Sequence, residues 1–201
     1  MNLRRFAYMI HRAIDREDVN KALETLKNGG LILYPTDTIW GIGCDATNAA
    51  AVEKVFELKG RDQQKSMIIL LHNDNQLASY VNDIPEVAYE LIEYTDKPLT
   101  IVYSNAKNLA PNVPAADGSI GIRVVRHPFC EQLLQRFRKP IVSTSANISG
   151  AGSPAGFDDI SEEVKAGVDY IVAYGQDKKG EGRSSTVMKL GPSGQIEFLR
   201  R

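Results

Sequence analysis

Two short pairs of polar residues have the types and spacing to do chemistry. Lys59 and Arg61 flank Gly60 at the end of the run AAAVEKVFELK, and Ser145 and Asn147 stand two apart in STSANISG. A compact ammonium beside a planar guanidinium fork suits phosphate. The second pair sets a hydroxyl and an amide at the exit of the apolar stretch PIV, and ligands of open α/β sheets collect where strands end. Capping turns also favour Ser, Thr and Asn, so the second pair alone is equally a plain strand exit. Val52, Val55 and Phe56 mark a buried helical stripe, and Lys59 falls on that stripe one turn later. Its ammonium therefore either snorkels to water or faces something inside. Together the pairs point to charge stabilisation and positioning rather than to a covalent nucleophile.

Three further segments extend this list. Arg123 sits inside the apolar run GIRV and is either an outward solvated charge or a carboxylate clamp. DKKGEGRSST, at 177 to 186, combines Arg183 and two lysines with two glycines and contains Ser185. It fits a lid over phosphates or an ordinary exposed loop. In LILYPTDTIWGIGCDA, Thr36 and Thr38 flank an Asp, and Gly41, Gly43 and Ala46 satisfy G-x-G-x-x-A. A dinucleotide turn needs its first Gly directly after the strand, whereas Pro35 to Trp40 intervene here. The glycines then either let the backbone turn or belong to a different site. No Ser/His/Asp triad spacing, CxxC, HExxH or P-loop is present, and His11, His72 and His127 are dispersed and read as surface or structural.

The elements that must position these residues follow from periodicity. Residues 15 to 30 form a helix with acidic caps and an Asn-Gly-Gly stop, Leu31 to Tyr34 a buried strand, and the segment up to 46 a long loop. Thr47 or Asn48 opens a second helix that Gly60 ends. Strands follow at 66 to 71, 98 to 104 and 119 to 125, with a helix after Pro85 between the first two. Pro128 starts another helix, and PIVSTSA returns to the sheet. DDISEEVKAGV reads as a helix, DYIVAY as a strand, and STVMKL and QIEFLR as strands joined by GPSG. The alternation predicts one α/β domain over residues 1–201 with a mixed, twisted sheet.

The totals agree. The chain has 201 residues, 43% hydrophobic, enough for a sizeable core, and its net charge of −1 argues against coating nucleic acid by bulk electrostatics. Two distant cysteines suggest neither a zinc site nor a disulfide framework. There is no export-type apolar region at the N-terminus and no run near the roughly 18 residues of a membrane span, so a cytoplasmic location off the membrane is expected.

In series, GGLILYPTDTIWGIGCDA, KGR, SMIILL, PLTIVY, GIRV, STSANISG and SSTV resemble the YrdC-like domain family, nearest its short bacterial TsaC-type branch of L-threonylcarbamoyladenylate synthases. The resemblance implies a twisted open α/β sheet around a large, positively charged cavity. It also implies a nucleotidyltransfer in which threonine, bicarbonate and ATP, with Mg²⁺, give threonylcarbamoyl-AMP, pyrophosphate and water for tRNA modification. Partner proteins then pass the group to tRNA. Carried over, Lys59 and Arg61 become the catalytic cations. Lys59, Ser145, Asn147 and Arg183 face ATP, and Thr36, Thr38, Arg61, Arg123 and Ser185 face threonine, with Arg123 on its carboxylate. No protein metal site is implied. Lys59→Ala or Arg61→Ala is expected to abolish most activity at little cost in stability. The chain departs from the family at Asp62, Ser66 and Val125, where proline (or, at 66, glycine) is common. A YciO-type paralogue, a double-stranded RNA or tRNA-binding module on the same basic cavity, and a different carbamoyl- or adenylyl-transferring enzyme are the alternatives.

Overall fold

The computed structural model describes residues 14–60, 67–178, 183–191 and 193–201. Its helices are α1 (Arg16–Lys27), α2 (Ala49–Lys59), α3 (Leu77–Tyr80), α4 (Val87–Tyr94), α5 (Pro128–Phe137) and α6 (Glu162–Ala166). Its strands are β1 (Ile32–Tyr34), β2 (Gly41–Gly43), β3 (Ile68–Leu71), β4 (Leu99–Tyr103), β5 (Ile120–Val124), β6 (Ile141–Ser145), β7 (Tyr170–Ile171), β8 (Thr186–Leu190) and β9 (Ile196–Arg200). They form one open mixed sheet in the order β7-β1-β2-β6-β3-β5-β4-β8-β9, parallel at β1/β7, β3/β5 and β4/β8.

Alternate strand residues feed two cores, as a period of two requires. Ile32, Tyr34, Leu70 and Ile141 pack with α1 and α5 on one face, while Leu33, Ile69, Leu71 and Val142 pack with α2 and its neighbours on the other. The caps of α2 set its length. The Asn48 side chain accepts from the amides of Ala50 and Ala51, and Gly60, at φ 53°, turns its own amide back to the carbonyls of Phe56 and Glu57. Lys59 is thereby delivered to the core side of the helix end.

The structure corrects three local expectations. The stretch 35–46 is not all loop, because Gly41–Gly43 returns as β2 between β1 and β6, both antiparallel to it. Its glycines do not turn the chain. A Cβ on Gly43 would lie 2.7 Å from Tyr34 Cε1 and 2.9 Å from the Val142 oxygen, so glycine there lets β1, β2 and β6 approach closely. DYIVAY contributes only Tyr170–Ile171 to the sheet, since the amides of Ala173 and Tyr174 turn to the buried Asp18 carboxylate at 3.0 and 2.8 Å. DDISEEVKAGV divides into a 3₁₀ turn, Phe157–Asp159, and a short α6 whose N-cap is Ser161.

Candidate active site

β1, β2, β5 and β6 end around two adjoining chambers. The smaller, about 200 Å³, is lined by Arg123, Ser143, Thr144, Ser145 and Ser185, among others. The larger, about 800 Å³, includes Lys97, Lys178, Arg183, Arg200 and Arg201 in its wall, with Asp37 as its one carboxylate among the described residues. Thr36, Thr38, Trp40, Ser184 and Arg200 border both. Five cations to one carboxylate favour an anionic ligand.

Lys59 is 1% exposed. Its ammonium donates to the backbone carbonyls of Ser145, at 2.6 Å, and Asn147, while its own carbonyl accepts from the Ser149 amide at 2.9 Å. The two sequence pairs thus meet through Lys59, which grips the chain where β6 leaves the sheet. A Lys59 truncation removes both of these bonds and leaves the Asn147 carbonyl without that donor, while the Ser145 carbonyl keeps the Asn147 amide at 2.9 Å, which argues against the expectation that its removal costs little stability. Ser145 faces the smaller chamber. Asn147 donates from Nδ2 to the carbonyls of Ile148 and Ala151 at 2.9 and 2.7 Å, and its buried Oδ1 has no partner. Arg61, Asp62 and Ser66 lie outside the described residues, as does the middle of the 177 to 186 segment.

Arg123 points inward and is 3% exposed, so it is no solvated charge. Its Nη2 stands 3.2 Å from Asp37 Oδ1, and its buried Nε has no partner. Asp37 Oδ2 also accepts from the Arg126 amide at 3.3 Å. The fork is therefore already held by a carboxylate of its own chain. Thr36 Oγ1 donates to the Ile39 carbonyl at 2.7 Å and stands 2.9 Å from Thr38 Oγ1. A hydroxyl has one hydrogen, so Thr38 donates within that pair and keeps only acceptor capacity for a ligand. The Ser185 hydroxyl is 2.8 Å from Thr100 Oγ1, and its carbonyl accepts from Arg200 Nε at 3.1 Å.

Asp37, His127 and Arg200 went unassigned in the sequence. Arg200 was detectable as the in-phase residue after Ile196 and Phe198 of an alternating strand. Burial and then the nearby Arg123 charge lower its pKa. His127, expected to be surface or structural, is half-buried in the larger chamber wall, its Nδ1 buried without a partner and its ring edge-on to Tyr174 at 5.9 Å. Burial pushes its pKa down to about 4; Asp37 opposes the shift and Lys178 assists it. The imidazole is therefore neutral near pH 7.

The class these features define is an open-sheet α/β protein with a cation-lined, two-chambered site below its strand ends. Residues 24–201 match the Sua5/YciO/YrdC family model, described as telomere recombination, and the chain belongs to that family. A protein of Pseudoalteromonas translucida named threonylcarbamoyl-AMP synthase is 34% identical over 161 residues, 79% of this chain and 86% of the relative. One of Photobacterium profundum with the same name is 36% identical over 137 residues, 67% of this chain and 74% of the relative. Pyrococcus abyssi Sua5 complexed with L-threonine superposes with a TM-score of 0.83 at 28% identity over 94% of this chain, which spans about half (55%) of that protein. Escherichia coli YciO, at 23% identity, shares the fold, with a TM-score of 0.80 over 92% of this chain and 89% of its own.

Proposed function

We propose that this chain is a threonylcarbamoyl-AMP synthase, a nucleotidyltransferase acting as one domain over residues 1–201. The neutral amine of L-threonine condenses with bicarbonate to give a carbamate and water. A carboxylate oxygen of that carbamate attacks the α-phosphorus of ATP as the bond to pyrophosphate breaks. The observation that carries the proposal is the Lys59 grip, which ties the end of α2 to Ser145 and Asn147 beside the small chamber, in a chain whose relatives bear that name.

Adenylation needs in-line positioning and offset phosphate charge more than a strong base. Ser145, Arg183 and Arg61 are the groups proposed to meet ATP, with Lys59 and Asn147 fixing the loop that carries Ser145. Arg123 and Arg200 are proposed to take the threonine carboxylate, and Thr36, Thr38 and Ser185 to shape the amino-acid side. Mg²⁺ belongs with the nucleotide phosphates, since Asp37 already serves Arg123 and Arg126, and Mg²⁺ is commonly held by substrate phosphates plus one or two carboxylates. An enclosed site slows hydrolysis of both the carbamate and the mixed anhydride.

The product is proposed to serve threonylcarbamoyladenosine formation in tRNA, in the cytoplasm, through partner proteins that transfer the group. No helix among the described residues is long and apolar enough to cross a membrane. Pyrophosphate release from ATP, Mg²⁺ and bicarbonate, measured with threonine, with serine and with no amino acid, tests the proposal. Threonine-dependent release is the expected result, with serine weaker by roughly 1 to 3 kcal/mol for the missing methyl. No stimulation in folded, ATP-binding protein refutes it and favours a YciO-like or RNA-binding role.

A further inference from the structure

A wall rich in Lys and Arg suits phosphates, bicarbonate and a carboxylate, so a carboxylate in that wall opposes every anionic ligand brought to it. Asp37 is that group, and its pairing with Arg123 explains only part of it. The Arg123 contact, at 3.2 Å, leaves the buried Asp37 Oδ1 without a hydrogen bond. Beside it stands a second buried acceptor in the same condition. Arg126, whose amide donates to Asp37 Oδ2, immediately precedes His127, and the His127 Nδ1 is likewise unpartnered. Both residues line the larger chamber, as does Thr38, whose hydroxyl is left as an acceptor.

We propose that Asp37 and His127 form the subsite that receives the primary ammonium group of the amino-acid substrate, a proposal that rests on the synthase reading above. An ammonium brings three donors and one positive charge, and satisfies what a phosphate cannot: a carboxylate and a neutral imidazole nitrogen. The groups facing the imidazole are Asp37, Lys178 and the Tyr174 ring. Burial and Lys178 hold it neutral, and in the Nε2–H tautomer its Nδ1 is an acceptor. The Asp37–Arg123 pair is also complementary to a zwitterion laid head to tail, with ammonium on Asp37 and carboxylate on the unpartnered Arg123 Nε. Recognition of the amine would let the site reject hydroxy acids of the same shape, because a lost substrate donor leaves buried acceptors unpaired.

The test compares binding of L-threonine with that of 2,3-dihydroxybutanoate, which keeps the carboxylate and hydroxyl but lacks the amine. Calorimetry near neutral pH uses the full chain as wild type, Asp37→Asn, His127→Leu and His127→Asn, each checked by thermal unfolding. Wild type is expected to prefer threonine. Asp37→Asn should cut that preference by about tenfold or more through weaker threonine binding, while the hydroxy acid binds at least as well. His127→Leu should cut it severalfold, and His127→Asn, whose amide oxygen can stand near Nδ1, should recover part of the loss. Equal weakening of both ligands, or an unchanged preference, overturns the subsite; if Asp37→Asn fails to fold, the two His127 variants decide alone. Wild type that binds no threonine ends the synthase reading and the subsite together. Wild type that binds threonine with its preference intact in the variants ends the subsite only.

Discussion

Lys59 and Arg123 are two buried cations at the strand ends of one sheet, yet they are held by different kinds of partner. Lys59 reaches the backbone carbonyls of Ser145 and Asn147, so it fixes the path of a loop. Arg123 reaches the Asp37 carboxylate, so the contact fixes a side chain and sets local charge. A cation in a family pattern can therefore act as a fastener as much as a ligand group, and the two kinds should fail differently when removed.

The largest effect should come from the charged pair. Arg123→Met leaves the Asp37 carboxylate buried without its cation and should cost about 3 to 5 kcal/mol in urea unfolding. Asp37→Asn in the same background should recover part of it; no recovery would mean that the pair is not energetically coupled. Lys59→Met should cost roughly 2 to 4 kcal/mol by removing two charge-assisted hydrogen bonds and leaving the Asn147 carbonyl without that donor, and pyrophosphate release should fall with it as Ser145 loosens. Full stability with lost activity would instead make Lys59 a ligand group.

A pH series comes next. Between about 4 and 6.5 the unfolded chain binds a proton at His127 that the folded chain refuses. Stability should thus fall as pH drops through that window, by on the order of 3 kcal/mol in all. His127→Gln should flatten that part of the curve. The smallest effect is expected at the far end of the helix that carries Lys59. Asn48→Ala, which removes the N-cap, should cost about 1 kcal/mol and leave amino-acid binding unchanged.

The sequence made local structure readable where local rules decide it. Asn48 and Gly60 bracket α2 because caps are written in single residue types, and the stripe of Val52, Val55 and Phe56 correctly turned Lys59 inward. Gly41–Gly43 was not readable as a strand. Gly-Ile-Gly has weak strand propensity, and β2 exists because β1 and β6 supply partners on both sides. The contact between Arg123 and Asp37 depends on the fold bringing β5 beside the loop after β1, and no local pattern encodes that. His127 looked bland for the same reason: its role comes from the chamber it borders rather than from its neighbours in sequence.

The loop that carries Thr36, Asp37 and Thr38 leaves β1 and re-enters the sheet at β2, which is pinned in register on both sides, with Tyr34 opposite Gly41 and Ile32 opposite Gly43. Its length is therefore as constrained as its composition. Inserting one residue before β2, if the pairing slid to absorb it, would move every β2 side chain to the opposite face and set a side chain where Gly43 lies against Tyr34. Exchanging residues in the loop can then retune this wall of the cavity without disturbing the pairing of β2.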